Sequence, residues 1–336
     1  MIEKINGVDI PTSFVSSIGE LVWPPKETNN ERLKGIYPYP IDNERLLIYF
    51  LDELASLSFL SSSRITVRAL LSKKVLMNFD RKNPLSYLFE TIIPLDGEVF
   101  GKYCLVYFGK NAHQRIPPKE IVEQQYQRAV SIFSENHQER NYDLSNFEIL
   151  VIDEKMRQDH EIQQMYYRLY SNFGWNEEEV VALINNPNNL LVAAKDVRNG
   201  IIISSGLVEF ADINFYGLPP LKLAEITEAA TLKEYRGKGL YQRVSDEILT
   251  ILANQPNPPH LTFGESNLDT PGVLKVAARQ GRTPAFKTAQ EYNFPHAWML
   301  PQHVVIFQEY RPPNYPYNNL MVTYLTQKRL KKLWKK

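Results

Sequence analysis

The chain has 336 residues, of which 43% are hydrophobic and 23% charged. These values sit near globular averages and exclude a wholly disordered, collagen-like or coiled-coil chain. At ~150 residues per domain the length suggests two domains, or one with an extension. Lys plus Arg and Asp plus Glu number 38 each, so the net charge is zero. That balance argues against a dedicated nucleic-acid binder, which needs a basic surface. The zero is a cancellation, because residues 328–336 (KRLKKLWKK) hold six basic residues and no acidic one, leaving −6 for the remainder.

A single cysteine, Cys104, excludes an intramolecular disulfide and a cysteine-based zinc site. It lies in an apolar run and reads as a small buried hydrophobe. The six histidines show no paired spacing such as His-x-x-x-His, so no metal is expected. The opening MIEKINGVDIPTS lacks a signal-peptide pattern, and the most apolar stretch, 41–60, carries several charges. A cytoplasmic location without a transmembrane segment is the expectation.

Residues 1–42, with Pro24, Pro25, Pro38 and Pro40, read as an irregular packed arm. Residues 43–60 have helical periodicity through Leu46, Leu47, Phe50, Leu51, Leu54 and Leu57, with Asn43 as a cap. Residues 64–79 and 87–93 are apolar runs of either type. The β-branched and aromatic run 99–108 predicts a strand. Pro117-Pro118 precedes a helix carrying Ile121, Val122, Tyr126, Val130 and Phe133. The polar stretch 137–146 predicts a boundary between an unassigned N-terminal α+β domain (1–140) and a second domain (147–327), followed by the basic tail.

The second half alternates more clearly. Strands are expected at 147–152, 190–195, 200–210, 221–232 and 261–263, with 304–307 and 320–326 closing the sheet. Helices are expected at 159–173, 177–184, 240–252 and 270–279, the last capped by Thr270 with Pro271 in its first turn. No internal repeat is visible. In the tail, Leu330, Leu333 and Trp334 among the lysines could offer an amphipathic turn to an anionic surface or acidic partner. A solvated or disordered end is the expectation.

The chemistry lies in residues 224–252, AEITEAATLKEYRGKGLYQRVSDEILTIL. A strand runs into the turn Arg236-Gly237-Lys238-Gly239, which opens an amphipathic helix. Glycines let the backbone approach a ligand, and the first helical N–H groups have no intrahelical partner. Together with Arg236 and Lys238 this makes an anion site, phosphate being the usual occupant. An ordinary tight turn with solvated basic residues is the duller account. A P-loop fails, because Leu232 stands where its first Gly belongs, and a dinucleotide fingerprint fails at Gln242. Gly264-Glu265-Ser266-Asn267-Leu268 ends in Leu where a nucleophile elbow needs Gly.

The strand–turn–helix resembles the acetyl-CoA motif of the GNAT superfamily of N-acetyltransferases, Gln/Arg-x-x-Gly-x-Gly/Ala. Arg236 and Gly239 match, and Tyr241 takes the last, usually small position. The run AEITEAATLKEYRGKGL also resembles the β-lysine acetyltransferase branch. The element order across 147–286 matches the superfamily; residues 1–140 lie outside the resemblance. It implies an α/β (α+β) GNAT fold, a mixed, mostly antiparallel central sheet flanked by helices. It also implies acetyl-CoA or another acyl-CoA as co-substrate and a small-molecule amine as acceptor.

Further roles follow from the resemblance. Backbone groups of Ala229, Ala230 and Thr231 would hold the pantetheine arm. Those of Arg236, Gly237, Lys238, Gly239, Leu240, Tyr241 and Gln242 would hold the pyrophosphate, and Asn267 would touch CoA. Ala224-Glu225-Ile226 aligns with an Ala-Glu-Val whose Glu is a general base, which assigns that role to Glu225. Glu228 would hold the acceptor ammonium or share the base role. The Tyr that many members use to protonate the thiolate is missing, its position being Ala277. Tyr292, His260 and Ser266 are the substitutes considered, Tyr292 first. Two other readings remain: a non-catalytic acyl-CoA-binding module, and a transferase using a longer or carrier-bound acyl group. The N-terminal part, which has no Arg-x-x-Gly-x-Gly, would be a cap over the acceptor site or a degenerate second half.

Overall fold

A computed structural model describes residues 2–5, 8–11, 20–22, 32–56, 58–59, 64–111, 118–135, 144–171, 175–304 and 317–335. The strands are β1 (Ile2–Ile5), β2 (Val8–Pro11), β3 (Glu20–Val22), β4 (Arg32–Ile36), β5 (Ser58–Phe59), β6 (Arg64–Ser72), β7 (Phe89–Pro94) and β8 (Tyr103–Asn111). They continue with β9 (Phe147–Val151), β10 (Asn189–Asp196), β11 (Ile201–Ile213), β12 (Leu221–Thr231), β13 (Leu261–Asn267), β14 (Thr283–Pro284), β15 (Leu300–Val304) and β16 (Tyr317–Thr326). The helices are α1 (Glu44–Ser56), α2 (Lys73–Asn78), α3 (Lys119–Ser134), α4 (Glu154–Arg157), α5 (His160–Tyr170), α6 (Glu177–Asn185), α7 (Leu240–Asn254), α8 (Pro271–Arg279), α9 (Ala285–Glu291) and α10 (Gln327–Trp334).

The main sheet has eight strands in the order β14-β16-β13-β12-β11-β10-β9, with β15 beside β16. Only β12 and β13 are parallel; every other pair is antiparallel. A second sheet has the order β3-β4-β6-β8-β7, and a small third one has β1-β2-β5. In the second sheet β4 and β6 are parallel, and β8 then pairs antiparallel with both β6 and β7. The run β4-β6-β8-β7 thus repeats the order and directions of β12-β13-β16-β14. This repeat has no counterpart in the residue identities.

The two faces of the main sheet bury different partners. On one face Leu223, Leu261, Phe263, Val322 and Tyr324 share a core with Leu70, Leu105 and Tyr107 of the second sheet. On the other, Ala224, Ile226 and Leu325 pack with Val244, Ile248 and Leu252 of α7 and with Leu330 of α10. The first of these cores crosses residue 140 without a break. Helix α3 adds a polar clamp, in which Gln125 and Arg128 both bind the Asp269 carboxylate ahead of α8, at 3.0 and 3.1 Å.

Most expected elements lie where the pattern puts them, including α1 with its cap, whose Asn43 Oδ1 accepts from the Leu46 N–H at 2.9 Å. Four expectations are corrected. The N-terminal arm contains strands; Ile2–Ile5 and Val8–Pro11 pair antiparallel. The strand expected from Val99 starts at Tyr103, because Gly97, at φ +87, turns the chain. The strand expected at 261–263 runs on to Asn267, since β16 pairs with it along its whole length. The tail is a helix, with Leu330 fully buried and Trp334 half-buried against α7. Its first-turn Lys328 N–H is taken by Asp96 at 2.9 Å. The boundary at 137–146 lies largely outside the described residues, as does most of 304–307.

If α10 is part of the core, Leu330→Ala should lower the unfolding free energy by about 2–5 kcal/mol in urea titration. Lys331→Ala and Lys332→Ala should each stay within about 0.5 kcal/mol.

Candidate active site

The parallel ladder between β12 and β13 is short: Leu223↔Leu261, Ala224↔Thr262 and Glu225↔Phe263. Beyond it β12 follows β11 to Thr231, while β13 follows β16 to Asn267. The two strands fork, so the β12 edge that faces β13 has no ladder partner past Glu225. The fork is reinforced by a bulge. Ser205 pairs with Ala230 and Leu207 with Thr227, so Glu228 and Ala229 together oppose Gly206. Glu228 has φ +50, a left-handed conformation that costs a non-glycine residue about 1 kcal/mol or more. The Tyr170 hydroxyl donates to the Glu228 carbonyl at 3.2 Å and holds the bulge. At the vertex, a Cβ on Gly264 would meet the Ile226 carbonyl oxygen at 2.9 Å and Arg282 Nη1 at 3.2 Å, so no side chain fits there.

Past the free edge the chain enters the glycine turn. Gly237 and Gly239 have φ +80 and +76. Gly239 is the N-cap of α7 and supplies no side-chain cap. The first-turn N–H groups of Leu240, Tyr241 and Gln242 therefore lack the partner that a Ser or Asp would give. By contrast, Asn43 closes the corresponding end of α1. Arg236 Nε donates to the Thr231 carbonyl at 3.2 Å, and Lys238 Nζ stands 4.6 Å from the centre of the Tyr235 ring. Backbone donors, two cations and a strand edge without a ladder partner thus lie along one stretch of chain, an arrangement suited to an anion.

The face covered by the second sheet holds Glu225. Its carboxylate is 3.6 Å from Nη2 of Arg68 on β6, and Glu265 on β13 is 3.7 Å from the same nitrogen. The Arg68 guanidinium lies between the rings of Tyr107 (4.8 Å) and Phe263 (5.4 Å). Burial pulls its pKa down, but Tyr107 and the two carboxylates outweigh that and hold it above the ordinary value. Glu228 is placed differently. It accepts from the Thr227 hydroxyl at 3.2 Å and acts on the phenols of Tyr170 and Tyr241. Both phenols are raised, mainly by burial.

Other expected residues stand apart from the fork. The Tyr292 phenol faces the Cys104 thiol in the interlayer core, and burial raises both groups, the thiol to about 12. His260 sits at the start of β13, its Nδ1 accepting from the Lys222 N–H at 2.9 Å. Ser266 is buried on β13, and Ala277 is buried on α8, where no hydroxyl replaces the missing Tyr. Asn267 ends β13 and uses its side-chain oxygen to accept from the Asp269 N–H at 2.8 Å. A surface depression of about 270 Å³, lined by Phe210, Asp212 and Lys222, lies at the other end of β12. Among the described residues no group of His, Cys, Asp and Glu could hold a metal ion, and no helix is long and apolar enough to cross a membrane.

Arg68, Glu265 and Arg282 are the residues that sequence reading missed. Arg68 is a lone charge in an apolar run, and Glu265 lies in a segment that draws attention through Ser266 and Asn267 instead. Arg282 follows Gly281 and had no motif to announce it.

No protein-family model and no curated protein matches the sequence. By structure the chain is similar to Arabidopsis thaliana NAA60 in complex with acetyl-CoA, at 10% identity and TM-score 0.39, over 54% of this chain and 98% of that one. It is similar to an N-acetyltransferase from Staphylococcus aureus Mu50, at 8% identity and TM-score 0.37, over 54% and 97%. It is also similar to aminoglycoside 6'-acetyltransferase type Ii, at 14% identity and TM-score 0.36, over 54% and 97%.

Arg68→Met would leave Glu225 and Glu265 facing each other without the guanidinium between them. Unfolding at pH 7 should be easier by about 3–5 kcal/mol. The deficit should shrink on acidification, because a proton taken up by the folded variant relieves the repulsion. Denaturant titrations of both proteins across pH 4–8 check this.

Proposed function

We propose that the protein is an acyl-CoA-dependent N-acyltransferase of the GNAT type. It would move an acetyl group from acetyl-CoA to a primary amine of a small molecule or amino acid by direct attack. The observation that carries this reading is the continuity of the track. The β12 edge past its last ladder pair with β13, the Gly237–Gly239 turn and the uncapped α7 N-terminus lead from the fork to an anion site on one stretch of chain. Backbone groups of Ala229, Ala230 and Thr231 line the edge for the pantetheine amides. Those of Arg236 to Gln242, with the Arg236 and Lys238 cations, take the pyrophosphate. Asn267 flanks the fork from the β13 side.

The thioester would lie at the fork, and the amine would reach it from the face that carries Glu225. An amine arrives protonated and must lose a proton to become a nucleophile. Glu225, at the last ladder position, takes that proton in this reading, directly or through water. Glu265 and Arg68 fix the electrostatics around it. Glu228 belongs to the bulge and the phenols beside it, which favours positioning over proton transfer. Tyr292 has no place in this reading, since it lies in the interlayer core beside Cys104 and away from the fork. The N-terminal half covers the acceptor face, and its repeated strand order supports a degenerate second half that has lost its own fork and anion site.

A second reading, a binding module without turnover, draws on Arg68 beside Glu225 and on the missing Tyr at Ala277. Thiol release from acetyl-CoA in the presence of an amine panel separates the two. Measurable CoA binding with no release for any acceptor would favour the module. For the enzyme, Glu225→Gln should lower turnover by about 10² to 10⁴-fold at saturating amine. Gly239→Asp should weaken acetyl-CoA binding, measured by calorimetry, since it sets a carboxylate against the phosphates. Unaltered affinity in that variant would remove the α7 N-terminus from the site.

A further inference from the structure

A second buried guanidinium stands on the α7 side of the fork. Arg282, 7% exposed, donates from Nε to Gln280 Oε1 at 2.9 Å and from Nη2 to Ser245 Oγ at 3.1 Å. Gln280 and Gln242 both donate to Asp246 Oδ1, each at 2.8 Å. Ser245, Asp246 and Gln242 all lie on α7, the helix whose N-terminus is the proposed phosphate site. The remaining nitrogen, Nη1, reaches the vertex itself, beside Gly264 and the Ile226 carbonyl. Gly264 immediately follows the last ladder residue of β13. The cation therefore stands where the strands part, on the face opposite Glu225 and Arg68.

Burial pulls the Arg282 pKa down, while Tyr241 and Asp246 oppose that. A guanidinium is nonetheless charged at any working pH, so it serves as a fixed positive charge and never as a proton donor. Holding such a charge away from water is expensive unless something negative uses it. The chemistry proposed for this fork generates one such group, the thiolate that leaves a thioester. The fold offers no Tyr at Ala277 to meet it.

We propose that Arg282 stabilises the thiolate leaving group of the acyl-CoA. The inference rests on the acyl-CoA reading above. The amine nitrogen bonds to the carbonyl carbon, and the C–S bond breaks with its electron pair going to sulfur. The ammonium's first proton passes through Glu225 to solvent before attack, and the second, shed by nitrogen as the amide forms, then goes to Glu225. Sulfur leaves as a thiolate beside Arg282 and takes its proton afterwards from solvent, so Arg282 keeps its own protons throughout.

The test uses the full chain and free CoA, and needs no knowledge of the acceptor. The thiol of bound CoA is titrated through the ultraviolet absorbance of its thiolate, in the wild type, Arg282→Lys and Arg282→Met. A free thiol titrates near ~8.5. In the wild type the bound thiol should titrate at least about one unit lower, as thiols beside a cation do. The shift should persist in part with Lys and vanish with Met, while CoA still binds. Thiol release should fall by about 10² to 10³-fold in Arg282→Met, with KM for acetyl-CoA little changed. If Arg282→Met does not fold, Ser245→Ala removes one of the two hydrogen bonds that hold the guanidinium at the vertex, and by loosening it should reduce the shift in the same direction. CoA binding with an unshifted thiol, or a shift indifferent to these substitutions, overturns this proposal alone. Absence of CoA binding by the wild type overturns the acyl-CoA reading and the proposal with it.

Discussion

The site depends on the parting of β12 and β13. Strands that separate inside a sheet leave backbone donors and acceptors without partners, and a fold tolerates this only if each strand is secured elsewhere. Here β11 holds β12 as far as Thr231 and β16 holds β13 as far as Asn267. The bulge at Glu228 lets β12 bend away, at the cost of a left-handed non-glycine residue. Gly206, across from the bulge, keeps α7 close: a Cβ there would lie 3.1 Å from Ile248 and 3.3 Å from Tyr241 and Val244. Gly264 leaves the vertex clear of side chains. One helix is thus pressed on the bulge, aims its uncapped N-terminus along the free edge, and carries the residues that hold Arg282.

The N-terminal half shows what the same strand order does without these devices. Its parallel pair, β4 and β6, runs in register through Ile36↔Arg68. The chain then stays beside β6, with the Tyr37 and Ile41 N–H groups bonded to the Arg68 and Leu70 carbonyls at 2.9 and 2.8 Å. No edge is released, and Asn43 closes the following helix. What this half contributes is a cover over the other half's sheet and one guanidinium, Arg68. Its place at the last ladder position of β4 and β6 mirrors that of Phe263 in the pair β12 and β13, and the two side chains meet across the interlayer core.

The fork was half legible in the sequence. Local rules reached much that depends on neighbours along the chain: the β12–turn–α7 unit, its two positive-φ glycines, the amphipathic face of α7 and the Asn43 cap. They did not reach what depends on residues far apart. Glu265 and Arg68 are 197 positions apart in the chain and converge only because the second sheet lies on the first. The end of β13 was misjudged because Gly264, Glu265 and Ser266 are poor strand formers held extended by β16. The tail was misjudged because its lysines outnumber Leu330 and Trp334, and a hydrophobic pair one turn apart suffices to dock a short helix once α7 offers a groove. Even the domain boundary, placed by polarity at 137–146, says little about packing, since one core runs across it.

Net charge conveyed none of this, because the charges that matter are few and sit on opposite sides of one sheet. On the face covered by the second sheet, Glu225 and Glu265 share Arg68. On the α7 face, Arg282, Arg236, Lys238 and the helix N-terminus present positive charge toward the fork and along the track that leaves it. An amine attacking a thioester moves charge the same way, since positive charge is relieved at nitrogen while negative charge appears on sulfur. In the proposed reading, a β12–β13 ladder that ends at Glu225 and Phe263 would let the two reactants meet while keeping these two fields apart. In a closed sheet the same residues would either neutralise one another or be buried out of reach. In that reading the fork would do more than make room: it would set the direction in which charge flows.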